Sequence, residues 1–294
     1  MTTAPRAPLR VGIVQMQSTE DVESNIEAAL SAIERVAKKG CDLISLPENA
    51  LFLRINRAAD KPMQFDLKES FWQRFSELSK KYKTHVLVGS VPYKSAARDG
   101  SDGGTAKSSA EPSAKPTNST IWIKPDGSLL ATYDKIHLFD VDVVGAPPVR
   151  ESDTFSHGRD PKIIEINGWR IGLSICYDLR FSELFRQYAL AEVDLILVPA
   201  AFLVPTGEAH WHLLLRARAI EGQCYAIAAA QAGEHKSQTG HSRRTFGHSL
   251  AVAPWGEVLF ELKENGPAEG VVELTPDRIS KVRSQIPMKN HRRI

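Results

Sequence analysis

The chain has 294 residues, 42% of them hydrophobic and 24% charged, with a formal net charge of +2. That describes a globular chain long enough to bury a full core, and the balanced charge argues against a protein built on phosphate-backbone contacts, so no nucleic-acid partner is expected. No apolar run approaches a membrane span, MTTAPRAPLR lacks the apolar core of a signal peptide, and three scattered cysteines suggest no disulfide framework; a reducing compartment, most simply the cytoplasm, is expected.

The pattern alternates short β-like runs with longer helical ones. VGIVQM (Val11 to Met16) reads as a buried strand, and Ser18 is the expected N-cap of a helix with Val22, Ile26, Ala29, Leu30 and Ile33 at helical spacing. Gly40 stops that helix, and DLISLPE (Asp42 to Glu48) is a second strand ended by Pro47. A helix from about Ser70 to Tyr82 precedes a strand, HVLVGSV. The Gly-, Ser-, Ala- and Pro-rich stretch at about 95–117 cannot bury enough apolar surface to order itself, and is expected as a flexible loop insertion rather than a domain boundary. TIWIK and SLLATYDK flank a PDG turn; KIIEI and WRIGLSIC flank NG. A helix from Ser182 to about Leu190, the strand DLILVPA and a long helix with Thr206 as N-cap and Glu208 in its first turn follow. CYAIAAA, HSLAVAP, VLFEL and VVEL complete the strands, and TPDRISKVRSQI is a final helix. This is an α/β chain, its mixed sheet or sheets covered by helices, and the whole of 1–294 reads as one domain.

Three polar residues stand where apolar runs end: Glu48 after DLISLP, Lys135 after LLATYD and Cys176 after IGLSI. Taken singly, each has a plain explanation, a solvated rim residue or a buried thiol. Together they form a chemical set. A thiol needs a base to become a nucleophile, a carboxylate can take its proton, and an ammonium can hold a developing oxyanion. The backbone N–H of Tyr177, next to the thiol, is a second candidate oxyanion donor.

The motifs LISLPENAL, YDKIHLFD and SICYDLRF, in that order, resemble those of the carbon–nitrogen hydrolase, or nitrilase, superfamily. KIHLFDVDV, PTGEAHWHLLLRARAIEGQCYAIAAAQ and HSRRTFGHSLAVAPWG are similar to its Nit branch. The resemblance implies an α-β-β-α sandwich with a Glu48–Lys135–Cys176 triad and an auxiliary glutamate. Glu151, seven residues before Gly158, has the family's spacing, although His157 replaces the usual proline. It also implies an amidase that cleaves deaminated glutathione to 2-oxoglutarate and cysteinylglycine through a cysteine thioester, with an ω-amidase on 2-oxoglutaramate as the alternative and a non-catalytic scaffold as a remote one. Its partner would be a small amide substrate, with no membrane partner, and the assembly a homodimer or larger even oligomer. No metal or organic cofactor is expected, because the protein's own groups fill each role, and no CxxC or HExxH pattern occurs.

Other residues keep two readings. Arg180 either holds a substrate carboxylate or pairs with Asp178. Arg243 and Arg244 either read a carboxylate at the pocket mouth or belong to a solvated loop. Glu208 and His210 are substrate-side candidates; Glu208 alternatively serves its helix start. His210 and His212 do not share a helix face and are not expected to be paired zinc ligands. The helix beginning near Ser182 is expected to turn its positive end to the thiol and favour the thiolate. Cys41 and Cys224 read as core thiols.

Overall fold

A computed structural model describes residues 6–55, 63–94, 115–142, 144, 148–263 and 265–293. The chain opens with β1 (Leu9–Gln15), α1 (Val22–Ala37), β2 (Leu43–Ser45), α2 (Phe71–Tyr82), β3 (His85–Tyr93), β4 (Thr117–Ile123) and β5 (Leu129–Asp134). A small ribbon, β6 (Asp140–Val141) with β7 (Val149–Arg150), leads to a 3-10 turn at Glu151–Asp153. Next come β8 (Ile163–Ile166), β9 (Trp169–Leu173), a 3-10 turn at Cys176–Arg180, α3 (Ser182–Leu190), β10 (Leu195–Leu197) and α4 (Val204–Gly222). The remainder is β11 (Tyr225–Ala228), β12 (Ala232–Lys236), β13 (Ser242–Phe246), β14 (Leu250–Val252), β15 (Val258–Glu261), β16 (Ala268–Leu274), α5 (Pro276–Gln285) and α6 (Met288–His291).

Two six-stranded mixed sheets result, ordered β16-β1-β2-β3-β4-β5 and β15-β14-β11-β10-β9-β8. The strand period of two explains the layering. In the first sheet, Leu43, Leu87 and Trp122 turn inward to meet Leu173, Leu195 and Leu197 of the second. Their neighbours Ile44, Val86, Val88 and Ile121 turn outward under Ile26, Ile33 and Phe75 of α1 and α2. Both faces are buried, which is why these strands read as unbroken apolar runs. On the far side, α4 packs on β11 and β14, and α3 on α4. The architecture is the expected α-β-β-α sandwich. Among the described residues no helix is long and apolar enough to cross a membrane.

Several local expectations change. Ser18 does not cap α1; Asp21 does, accepting from Ser24 N, while the buried Ser18 hydroxyl donates to Ala50 O. Thr206 lies inside α4, which starts two residues earlier at Val204 with Pro205 in its first turn, so Glu208 is not in that turn. HSRRTF is half of a hairpin, β12–β13, rather than a loop. The NG turn holds: Asn167 and Gly168 both take positive φ, 49° and 76°, linking β8 to β9. The 95–117 insertion lies outside the described residues except for its last three positions.

Candidate active site

Glu48 and Cys176 each stand three residues past their strands, in tight turns rather than at strand ends. The Glu48 turn rests on β3: Leu46 N donates to Leu87 O at 2.9 Å and Ala50 N to Ser90 O at 3.1 Å. Gly89 lies directly beneath it. A Cβ there would come within 2.1 Å of the Leu46 carbonyl oxygen, so only glycine permits the approach. Lys135 follows β5 directly, its N–H donating to Asn118 O at 2.9 Å.

These side chains converge on one buried cluster. Lys135 Nζ donates to Glu48 Oε1 and to Glu151 Oε2, both at 2.8 Å. Asn118 Nδ2, from β4, donates to the same two carboxylates at 3.1 Å and 2.8 Å. Phe139 N completes the shell of Glu151 at 2.7 Å. The Lys135 side chain is 1% exposed and that of Glu48 4%. Burial alone would disfavour the ammonium, but Glu151 and Glu48 outweigh it and hold the Lys135 pKa above its ordinary value. The cation therefore occupies the space between two carboxylates.

Cys176 opens the second 3-10 turn with φ of +47°, a left-handed value that costs a non-glycine residue about 1–3 kcal/mol. The surroundings enforce it. Cys176 N donates to Pro199 O at 2.8 Å. Asp178, fully buried, accepts from Ile175 N at 2.9 Å, Tyr133 Oη at 2.7 Å, His137 N at 2.9 Å and His137 Nδ1 at 2.7 Å. Asp178 thus ties the turn to the first sheet through Tyr133 and does not pair with Arg180. The Cys176 thiol and the Glu48 carboxylate face the same cavity. Burial, then the Glu48 charge, pushes the thiol pKa well above the ordinary value, and nearby Lys135 only partly opposes this. Burial thus works against the thiolate that the helix beginning near Ser182 was expected to favour. Tyr177 is the second residue of the turn, where helical N–H groups have no intrahelical acceptor.

Cys176, Glu48, Lys135 and Glu151 all face one cavity of about 460 Å³. Arg180 and Arg243 also line it. Arg180 Nη1 donates to His210 Nδ1 at 3.2 Å, and its guanidinium lies 5.5 Å from the Phe202 ring centroid. His210 therefore stands behind Arg180, not in the cavity wall. Arg243 Nη2 donates to Ala201 O at 3.3 Å, while its buried Nε has no hydrogen-bond partner. Burial lowers the Arg243 pKa from its ordinary value, and the Glu48 charge opposes this. Arg244 is exposed on β13 and Glu208 is exposed on α4; neither is among the residues that line the cavity. The alternation of a strand explains the first: adjacent residues on β13 point to opposite faces. Asn118 and Asp178 were missed by sequence reasoning. The signal for Asp178 was its position two residues after Cys176 at the start of a polar turn; Asn118 sits in an unremarkable TNST run.

The family model described as "Carbon-nitrogen hydrolase" matches residues 10–284. A protein of Synechocystis named "Deaminated glutathione amidase" is 35% identical over 288 residues, 97% of this chain and 98% of that one. Human "Omega-amidase NIT2" is 34% identical, over 97% of this chain and 95% of its own length. The crystal structure of Saccharomyces cerevisiae Nit3, a member of branch 10 of the nitrilase superfamily, superposes with a TM-score of 0.78 at 27% identity, covering 100% of this chain and 99% of that one.

Proposed function

The chain belongs to the carbon–nitrogen hydrolase family, and on that premise we propose that it hydrolyses the amide of deaminated glutathione to 2-oxoglutarate and cysteinylglycine. Cys176 is the nucleophile. As its sulfur attacks the amide carbon, Glu48 takes the thiol proton. The carbonyl oxygen becomes an oxyanion, held by Lys135 Nζ and the Tyr177 N–H; one such donor contributes about 3–4 kcal/mol of transition-state stabilisation. Glu48 then passes its proton to the departing nitrogen, and cysteinylglycine leaves. The remaining 2-oxoglutaryl thioester is attacked by water, whose proton goes to Glu48 or Glu151. Collapse of that second tetrahedral adduct releases 2-oxoglutarate and returns the thiol. Side chains fill the nucleophile, acid–base and oxyanion roles, so the reaction needs no metal or organic cofactor.

The observation that carries this reading is the buried cluster of Glu48, Lys135 and Glu151 facing the Cys176 thiol in a cavity whose wall includes Arg54, Arg150, Arg180 and Arg243. Deaminated glutathione carries a carboxylate at each end, and we assign Arg180 and Arg243, two of the four arginines in the wall, to them; Arg150 is already paired with Asp142 and Arg54 donates to Thr154. The similarity to ω-amidases keeps 2-oxoglutaramate as the second reading. Comparing kcat/KM for the two compounds and for glutathione decides between them. Deaminated glutathione should be clearly preferred, because the smaller amide forfeits every contact to the leaving dipeptide. If 2-oxoglutaramate equals or exceeds it, the ω-amidase reading replaces this one.

We read the whole chain as one catalytic domain acting in the cytoplasm on this small amide, and as a homodimer or larger even oligomer. Leu213 and Ile220, seven residues apart on one face of α4, are 67% and 46% exposed, and Trp255, next in the chain to the Gly256 that lies against Ile220, is 56% exposed. A two-fold contact through that face would cover them. A monomeric mass by light scattering at micromolar concentration would rule the assembly out.

A further inference from the structure

His212 on α4 and His248 between β13 and β14 both direct a ring nitrogen at one carboxylate oxygen. His212 Nε2 lies 3.1 Å from Glu261 Oε1, and His248 Nδ1 lies 2.6 Å from the same atom. All three ligand atoms fall within 4.8 Å of one another. None of these residues lines the cavity of Cys176. We propose that His212, His248 and Glu261 form a second site, for a divalent cation of the zinc class, with two imidazole nitrogens and one carboxylate oxygen as ligands and the fourth position open to solvent.

The donor set selects the metal. Two imidazoles and one carboxylate suit zinc and its d-block neighbours, whereas calcium and magnesium favour shells of oxygen. Three protein ligands with one open position is a stable arrangement for zinc. With bonds of about 2.0–2.1 Å, tetrahedral ligand atoms stand roughly 3.3 Å apart. The His212–Glu261 distance of 3.1 Å is already close to that, and the 2.6 Å His248–Glu261 hydrogen bond has only to open slightly as the metal replaces its proton.

The ligands are also held from behind. Phe246 stacks on His248 at 4.3 Å and 25° and meets His212 edge-on at 6.2 Å and 90°. Trp211 Nε1 donates to His248 O at 2.8 Å, fixing the backbone of that ligand. Side-chain exposures of 37%, 27% and 18% for His212, His248 and Glu261 leave a path for the ion. The sequence did not signal this site because its ligands are 36 and 13 residues apart, each brought by a different element. Occupancy would bridge α4 to β15, joining the outer helix to the edge strand of the second sheet.

The test uses the full chain, stripped with chelator and titrated with zinc chloride by calorimetry and with cobalt(II) by visible absorption. One zinc should bind per chain, and the cobalt form should show the visible bands of a low-symmetry nitrogen–oxygen site without an intense thiolate-to-metal transition. Binding should persist in Cys176→Ser. Loss of an outer-shell partner already costs about 10–100-fold in metal affinity, so His212→Gln and Glu261→Gln should each weaken binding by about tenfold or more. Amidase turnover without added metal reports whether those variants are folded, and the cobalt spectrum of the unmutated protein decides the matter if they are not. Absence of binding, an affinity unchanged in His212→Gln, or a thiolate transition that disappears in Cys176→Ser would each overturn the proposal.

Discussion

The side chain of Lys135, at the end of the first sheet, is held by charge, between two carboxylates at 2.8 Å. Cys176, beyond β9 of the second sheet, is held by backbone: its own N–H is bound to Pro199 O, and its turn is closed by Asp178. The first arrangement keeps ionised groups in place only while all of them are present. The second keeps an uncharged group in a strained conformation whatever the side chain does. The proposed acid–base groups and the proposed nucleophile are thus positioned as separate structural problems, one on each sheet, that meet across one cavity.

The largest effect should come from breaking the charged half. Lys135→Ala should lower kcat by about 10²–10³ or more, the loss of one oxyanion donor. It should also lower stability by about 3–5 kcal/mol, because Glu48 and Glu151 would face each other across Asn118 with no cation. Cys176→Ala should abolish turnover yet stay within about 1 kcal/mol of the parent in stability, since it removes only a neutral group. Steady-state kinetics and urea unfolding on both variants test the contrast. Equal destabilisation of the two would sink the division into a charged half and a backbone half.

A smaller effect should follow from loosening the backbone half. Asp178→Asn keeps the size but sets an amide donor against one of the donors that Asp178 now receives, costing about 1–3 kcal/mol for an unmet buried group. The turn should lose definition, lowering kcat by about tenfold as the nucleophile drifts from near-attack geometry. KM should change little, because Asp178 does not line the cavity. A raised KM with kcat intact would mean that Asp178 shapes substrate binding rather than the position of the sulfur.

The same division explains what the sequence disclosed. Glu48, Lys135 and Cys176 were visible because a polar residue ending an apolar run breaks a period, and the sheets carry such breaks to one place. The layers were visible because strands buried on both faces read as unbroken apolar runs. Caps and turns were not: Ser18 has the right residue type for a cap, but a tertiary acceptor, Ala50 O, claims its hydroxyl. Arg243 and Arg244 are indistinguishable in a string, and only the pairing of β12 with β13 sends one to the cavity and the other to solvent. The protonation of Cys176 depends on burial, which no local pattern reports.

The smallest expected effect sharpens the comparison at acid pH. His85, on β3 of the first sheet, has its pKa pushed down to about 4 by burial, as has His235 on β12; the strands of the second sheet contain no histidine. His85 Nδ1 accepts from Trp122 Nε1 at 3.1 Å, a bond that exists only while that nitrogen is unprotonated. Between about pH 6.5 and 4 the unfolded chain therefore binds more protons at these positions than the folded one, so stability rises with pH across that window and falls on acidification. The stability is fully present above the unfolded histidine value and is lost as pH drops toward 4. The lowered carboxylates act later: the stability from Asp126 and Glu34, both shifted to about 2 by hydrogen bonds, is fully present above the ordinary carboxylate range and is lost only as pH falls through that range toward 2. His85→Gln offers Trp122 an amide oxygen in place of the ring nitrogen and removes the titration. Urea unfolding of both proteins at several values between pH 7 and 4 should give a shallower loss for the variant, by about one proton's worth of slope at most. Parallel curves would show that His85 is not what limits the first sheet in acid.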